Sequence, residues 1–460
     1  MSAGADAGAD AGSRRDVQAN RPVLAHGGRW AAPDRIWVPA LAAGLLAAAF
    51  VVVLLVRAAG DPSLLVHAGP PCTTEGARPA SPSCNAAVGE RLTDGSHRGG
   101  PGARGSLTVQ PADEAFDGQF FYRLGVAPWS ADDRVAGVQF DLPSLRNARW
   151  GYGALAYVAS GGDADLVPWA LIGLNVVAGA AVGAIGGGLA RSSGRHAAWG
   201  LLLALWPGFA YSASLDTSEL VAAAFLLGGL LALRHRRWAV AAIALAAAVL
   251  TRDTTAAVPF GVAVAGAWTW WHGPRRTTGA PDRTRRGAGG SGEATATATA
   301  TTTVAVAALA VFAAWQLVQQ IRFATWPLTS SGGNNLTAPL SGLVTELGHD
   351  LPPGSGEEAF RLLCIVGLMA LLAAAAWCWR SSAAPVAERI AWLPAIGVVA
   401  LLDAYLWSGA TAFLRAATEA GLLAILVVLG SSRERLVAVT GGAMAGFWVL
   451  TAAVQVAKLG

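Results

Sequence analysis

Asp113-Glu114-Ala115-Phe116-Asp117-Gly118-Gln119-Phe120-Phe121-Tyr122-Arg123-Leu124 packs three carboxylates, an amide, four aromatic rings and an arginine into twelve residues. It comes after the first long apolar run of the chain, Ile36 to Val56, and inside the polar stretch 58–164 that follows that run. A solvated linker has no reason to carry Phe-Asp-Gly-Gln-Phe-Phe-Tyr. Rings at that density are removed from water only if the loop folds back onto the protein. The stretch therefore predicts a structured loop on a membrane body, with Asp117 as the candidate reaction centre.

The rest of the chain supplies that body. Of 460 residues, 54% are hydrophobic and only 13% charged, with a mean hydropathy of +0.46. Soluble domains carry about 25% charged residues. Half that share, with repeated apolar runs, predicts an all-α membrane protein, a polytopic helix bundle of about eleven transmembrane helices. The net charge of +4 does not indicate nucleic acid, because many arginines fall in short loops between apolar runs, where they set topology.

Residues 1–35, rich in Ala, Gly, Asp and Arg, read as a disordered cytoplasmic tail, and 36–460 as the membrane domain. The run from Ile36 is too long for a signal-peptide core and reads as an uncleaved first span. Gly151 to Ser160 is apolar but too short to cross, which predicts a re-entrant or interfacial helix. Arginine clusters then recur at every second loop: 191–195, 234–237, 275–286, 380–389 and 433–435. This alternation predicts a multi-pass plasma-membrane protein with its N-terminus in the cytoplasm and its C-terminus outside. The loop 58–164 is then extracytoplasmic, where Cys72 and Cys84 are free to pair as a disulfide. Cys364 and Cys378 lie within one apolar segment, and no zinc spacing is present.

With that orientation the outer side gathers a distinct set of residues: Asp113, Glu114, Asp117, Gln119 and Arg123, then Asp216 and Glu219, Arg252 and Asp253, and Arg415 with Glu419. An ionisable group inside a span costs about 2.5–3.5 kcal/mol at the centre and less near an end, so such groups face a cavity or a partner. The spacing puts Asp216 with Glu219, and Arg415 with Glu419, on single helix faces. Plainer roles stay open for each. Asp216 fits a helix cap, Arg252 and Asp253 fit interfacial anchors, Arg415 with Glu419 fits a structural pair, and Asp117 before Gly118 fits a turn. Gly183, Gly186, Gly187 and Gly188 lie inside a span with no preceding strand, which favours close helix packing over a phosphate loop.

The outer side of a membrane has no ready nucleotide supply, so a transferase there draws on lipid-linked donors. A carboxylate such as Asp117 would take the acceptor's proton. Guanidiniums such as Arg252 and Arg415 would hold the departing phosphate. In order along the chain stand Asp117-Gly118-Gln119-Phe120-Phe121-Tyr122, Arg149-Trp150-Gly151-Tyr152, Asp216-Thr217-Ser218-Glu219, Leu250-Thr251-Arg252-Asp253-Thr254 and Phe413-Leu414-Arg415. This series resembles the multispan glycosyltransferases of the GT-C fold, and within them a bacterial set of uncharacterised membrane proteins with the Asp-Gly-Gln-Phe/Tyr-Tyr motif in the first outer loop. The resemblance covers about Ile36 to Leu429. Two departures are Asp253, where that set usually has Glu, and the irregular insert 70–105.

The resemblance implies transfer of a sugar from a polyprenyl-phosphate donor to an envelope glycan, lipid or protein acceptor, with inversion at the anomeric carbon. Asp117 would act as base or position a divalent metal, Mg or Mn. Asp113, Glu114, Gln119, Tyr122, Arg123, Arg149, Tyr152, Asp216, Glu219, Arg252, Asp253 and Arg415 would line the substrate site. Two other readings remain. A transporter or flippase of a lipid-linked anionic substrate would use the same arginines, although the chain carries no internal repeat. A non-catalytic scaffold would use the charges as structural pairs.

Overall fold

The computed structural model describes residues 35–69, 91–92, 107–111, 115–132, 134–272, 289–330 and 335–459, with side chains from 107 onward except at 289–294 and throughout 35–69. The N-terminal tail, Cys72, Cys84, Asp113 and Glu114 lie outside the described residues. Residues 35–460 form one compact unit.

The helices run in the order α1 (Trp37–Arg57), α2 (Gly118–Val126), α3 (Pro143–Ala148), α4 (Trp150–Ser160), α5 (Val167–Ser192), α6 (Leu201–Ala204), α7 (Gly208–Ser214), α8 (Glu219–Arg234) and α9 (Trp238–Thr251). There follow α10 (Ala257–His272), α11 (Gly289–Phe323), α12 (Ser341–Asp350), α13 (Gly356–Cys378), α14 (Val386–Ala400), α15 (Ala404–Trp407), α16 (Ala410–Ala416), α17 (Thr418–Leu429) and α18 (Glu434–Lys458). Five of them (α1, α5, α11 from Thr295, α13 and α18) are long and apolar enough to cross a membrane. A sixth crossing follows if α16 and α17, bent by 60°, count as one span. The chain is thus an all-α, multi-pass membrane protein. The apolar stretch that ends at about Ala213, one of the expected crossings, is not one helix. Around Pro207 and Gly208 it breaks into a 3-10 turn at 197–200, α6 and α7, as proline requires when it removes a backbone donor.

Local chemistry explains where the helices start and hold. Ser355 and Glu358 form a reciprocal capping box at the start of α13. The Ala-Thr alternation entering α11 is helical, and Thr299, Thr302 and Thr303 each donate a hydroxyl to the carbonyl four residues back, which satisfies those hydroxyls within the helix. In α5 a Cβ at Gly183 would stand 2.4 Å from the Pro39 carbonyl oxygen, and one at Gly186 2.5 Å from that of Gly200. These glycines are close-packing positions, and the first seats the start of α1 against the end of α5.

The helix ends sort to two sides of the bundle. On one side Arg234, ending α8, makes a paired contact with Glu388 at the start of α14 and reaches Ser192 and Ser193 at the end of α5. Arg195 holds the Leu429 carbonyl at the end of α17, and Arg389 that of Trp379 beyond α13. The starts of α8, α10 and α17 lie on the opposite side with α2, α3 and α4. Exposed tryptophans mark both sides: Trp37 and Trp377 at the arginine-rich one, Trp129, Trp169 and Trp326 at the other. Indole rings take such belts because one edge is apolar and the other bonds water.

Four short strands complete the described residues: β1 (Arg91–Leu92) pairs antiparallel with β2 (Leu107–Thr108), and β3 (Arg134–Val135) with β4 (Val138–Gln139). The β3–β4 turn is Ala136-Gly137, both at positive φ (48° and 81°), the backbone a two-residue hairpin needs.

Candidate functional site

Asp117 immediately precedes α2, and its side chain makes no capping bond to that helix. Its position is fixed by its neighbour. A Cβ on Gly118 would lie 2.5 Å from both the Val66 and the Leu215 carbonyl oxygens, so only glycine lets the loop press into that gap. Gly151 does the same for the start of α4, where a Cβ would lie 2.5 Å from Thr251 Oγ1 at the end of α9. The first contact sets Asp117 beside the turn before α8. The second sets Arg149 beside Arg252 and Asp253.

Four arginines and five carboxylates then form one connected network. Asp117 Oδ1 takes Arg146 Nη1 at 2.8 Å, and its Oδ2 faces Arg415 Nη2 at 3.2 Å and Arg149 Nη1 at 3.5 Å. Arg146 is held from behind by Asp141, through Nε at 2.8 Å and Nη2 at 2.7 Å, and lies over the Phe120 ring. Arg149 Nε is 3.4 Å from Asp253. Beneath, Glu219 Oε1 takes Arg415 Nε at 2.8 Å and lies 2.9 Å from Arg252 Nη1. Arg252 also donates to Thr254 Oγ1 and to the Arg415 carbonyl, each at 2.7 Å, and its Nε is 3.4 Å from Glu419. Thr217 and Thr254 donate hydroxyls to Glu219 and Glu419. The site has two levels. Glu219, Arg252, Arg415 and Glu419 are buried, whereas the Asp117 side chain is 22% exposed and the Arg149 side chain 23%.

Burial alone would raise the Asp117 pKa. Arg146, Arg415 and Arg149 outweigh it and hold the carboxyl far below the usual carboxylate range. Burial likewise opposes the charge of Arg146, and Asp117 with Asp141 more than restores it, so its pKa is raised. At rest, Asp117 is a firmly ionised and weakly basic anion in a guanidinium collar.

Of the residues singled out in the sequence, Asp117, Arg149, Glu219, Arg252, Asp253 and Arg415 come together, and Gln119 lies partly exposed in the first turn of α2. Others do not join them. Arg123 lies over the Phe140 ring and donates to the carbonyls of Asp132 and Val138, so it braces the β3–β4 hairpin. Tyr122 is buried in the core, and the Tyr152 hydroxyl is taken up by the Leu171 carbonyl, to which it donates, and by Asn175, from which it accepts. Asp216 shares no helix face with Glu219. It sits in the turn before α8 at φ 47°, fully buried, with the Asn175 amide as its polar neighbour. Nor does it cap α8, whose cap position is Ser218. Arg415 and Glu419 fall on opposite sides of the α16–α17 bend, so Arg415 pairs with Glu219 instead.

Arg146 and Asp141 were not anticipated. Asp141-Leu142-Pro143 opens α3 with proline in its first turn, a local signal that would have placed Arg146 and Arg149 one turn apart. A divalent metal does not fit the described donor set. No three of His, Cys, Asp and Glu converge among the described residues, and the carboxylates present are each engaged by guanidiniums that repel a cation. Comparison with family models, with curated proteins and with solved structures finds no match to this chain.

Proposed function

We propose that the chain is a membrane glycosyltransferase that moves a sugar from a polyprenyl phosphate to an envelope acceptor on the extracytoplasmic side. The observation that carries this reading is the convergence of Asp117, Arg146, Arg149, Arg252 and Arg415 from separate segments, at the bundle end opposite the arginine-rich one. By the positive-inside rule the arginine-rich end is cytoplasmic, so the collar opens outward. In this reading the helices of 14 to 16 residues, α8, α9, α10 and α14, are crossings too. Together with the broken segment before α8 they make eleven.

The collar suggests how a weak base is switched on. The donor phosphate enters at Arg149 and Arg415, whose contacts with Asp117 are the longest. Guanidiniums drawn to the phosphate leave the carboxylate, and its pKa then climbs under the burial that remains. Asp117 takes the proton of the acceptor hydroxyl as that oxygen attacks the anomeric carbon. The bond from carbon to phosphate oxygen breaks, and the polyprenyl phosphate leaves with its added negative charge on the two arginines.

The test is product formation in detergent with a panel of polyprenyl-phosphate hexoses and pentoses and a membrane-extract acceptor. Wild type should transfer one of them, and Asp117→Asn, folded and inserted, should not. Full activity in that variant would remove Asp117 from the mechanism. The fully buried Asp216 in a break between helix segments favours a second reading, a transporter, since such breaks form substrate sites in membranes. Lipid movement across vesicles without bond cleavage would support it.

A further inference from the structure

Beside the collar lies a group of side chains that the charge network does not use. Trp129, Trp150 and Trp315 pack together, with ring centroids 4.6 Å (129–150), 5.6 Å (150–315) and 6.5 Å (129–315) apart. Trp315 Nε1 donates to the Ala148 carbonyl at 3.1 Å, which ties α11 to the end of α3. Gln316 follows Trp315 directly and Gln319 stands one helix turn along α11; they are 4% and 0% exposed, and neither amide has any hydrogen-bond partner among the described residues. The same is true of Asn147 Oδ1 on α3 and of Trp150 Nε1.

Buried amides left unpaired cost folding free energy, and several of them on α11 and on the α3 end that Trp315 ties to it call for a ligand. An acyl chain would leave the amides unpaired. A phosphate would prefer the guanidiniums of Arg146 and Arg149, which flank Asn147 and Trp150 in the chain. A neutral polyhydroxylated ring fits both parts. Its C–H face stacks on indole, and its hydroxyls donate and accept as amides do.

We propose that Trp129, Trp150, Trp315, Asn147, Gln316 and Gln319 form a carbohydrate subsite that seats a sugar ring next to the arginine collar. Trp129 is the ring that yields, being 62% exposed on the segment between α2 and β3. As the sugar enters, this ring moves outward and the amides turn to the hydroxyls. The inference deepens the transferase reading and rests on it only for which sugar-bearing molecule arrives.

The experiment is saturation-transfer NMR on the full chain in detergent, with methyl glycosides of common hexoses and pentoses as probes. At least one glycoside should bind to wild type and to Asp117→Asn alike. Trp129→Ala and Gln319→Leu should each weaken that binding at least tenfold, and Gln319→Leu should also raise the melting temperature by removing an unpaired amide. Trp129 is exposed, so its variant tests binding without a folding defect. Equal binding by these variants, or no binding of any glycoside to wild type, overturns the subsite. Binding with no transfer from any polyprenyl-phosphate sugar leaves the subsite standing and defeats the transferase reading.

Discussion

The two ends of the bundle both hold buried arginine–carboxylate contacts, but they are built differently. At one end Arg234 meets Glu388 through two parallel bonds of 2.6 Å and spends its remaining donor on Ser192, Ser193 and the Leu189 carbonyl. This is a closed pair in which every guanidinium nitrogen and both carboxylate oxygens are engaged in joining three helices. At the other end Asp117 meets three arginines one oxygen contact at a time, at 2.8, 3.2 and 3.5 Å, and remains partly open to solvent. Closed bidentate geometry suits fastening. Loose, branched contacts around a partly exposed anion suit exchange with another anion. Burial of charge at a helix end is therefore no sign of function by itself. The number of unfinished contacts is the better guide.

The largest expected effect that separates the two ends is on turnover. Asp117→Asn should lower turnover per folded molecule by about 10²–10⁴-fold, beyond any loss of melting from the arginines it leaves unpaired, whereas Glu388→Gln should lower melting and leave turnover per folded molecule intact. Next come the losses of stability. Glu219→Gln and Arg234→Met each strand a buried charge and should cost about 3–5 kcal/mol, read from denaturation in detergent. Arg149→Lys keeps the charge but loses the planar fork, and should lower kcat/KM about tenfold. A smaller effect concerns acid. The folded pKa of Asp117 lies below its unfolded value of about 3.9, so its contribution is complete above that pH and is lost as pH falls through the folded value. Melting of wild type should thus fall on acidification below about pH 4, and less steeply in Asp117→Asn. Smallest of all is Lys458→Ala. Its 3.7 Å contact with Glu357 is mostly solvent-exposed, and melting should not change measurably.

Much of this was readable in advance, for a physical reason. Arg252, Arg415 and Glu219 stand at the edges of apolar runs, where a charge is costly enough to be conspicuous. Asp117 was conspicuous through its aromatic neighbours. Arg146 was not, because it sits among polar loop residues where a charge costs nothing locally, and its value depends on a partner 29 positions away. Arg123 misled for the converse reason. It is close to Asp117 in sequence, but six steps along a helix carry a side chain about 240° round the axis, away from the collar. The left-handed backbone of Asp216 and the bend after Ala416 come from packing between distant segments, and no local pattern announces them.

The bend has a consequence of its own. A kinked helix exposes carbonyls that lipid cannot solvate, and here the Arg415 carbonyl is covered by the Arg252 guanidinium and the Thr418 hydroxyl, both at 2.7 Å. Arg252 thereby acts as a stopper for a gap in the helix and as a counter-ion to Glu219 at once. Straightening the helix would strand the guanidinium, and losing the guanidinium would leave the gap unsealed. The two features can be inherited only as a set, and a lysine at 252, with no second prong to divide between a carbonyl and a carboxylate, would not serve.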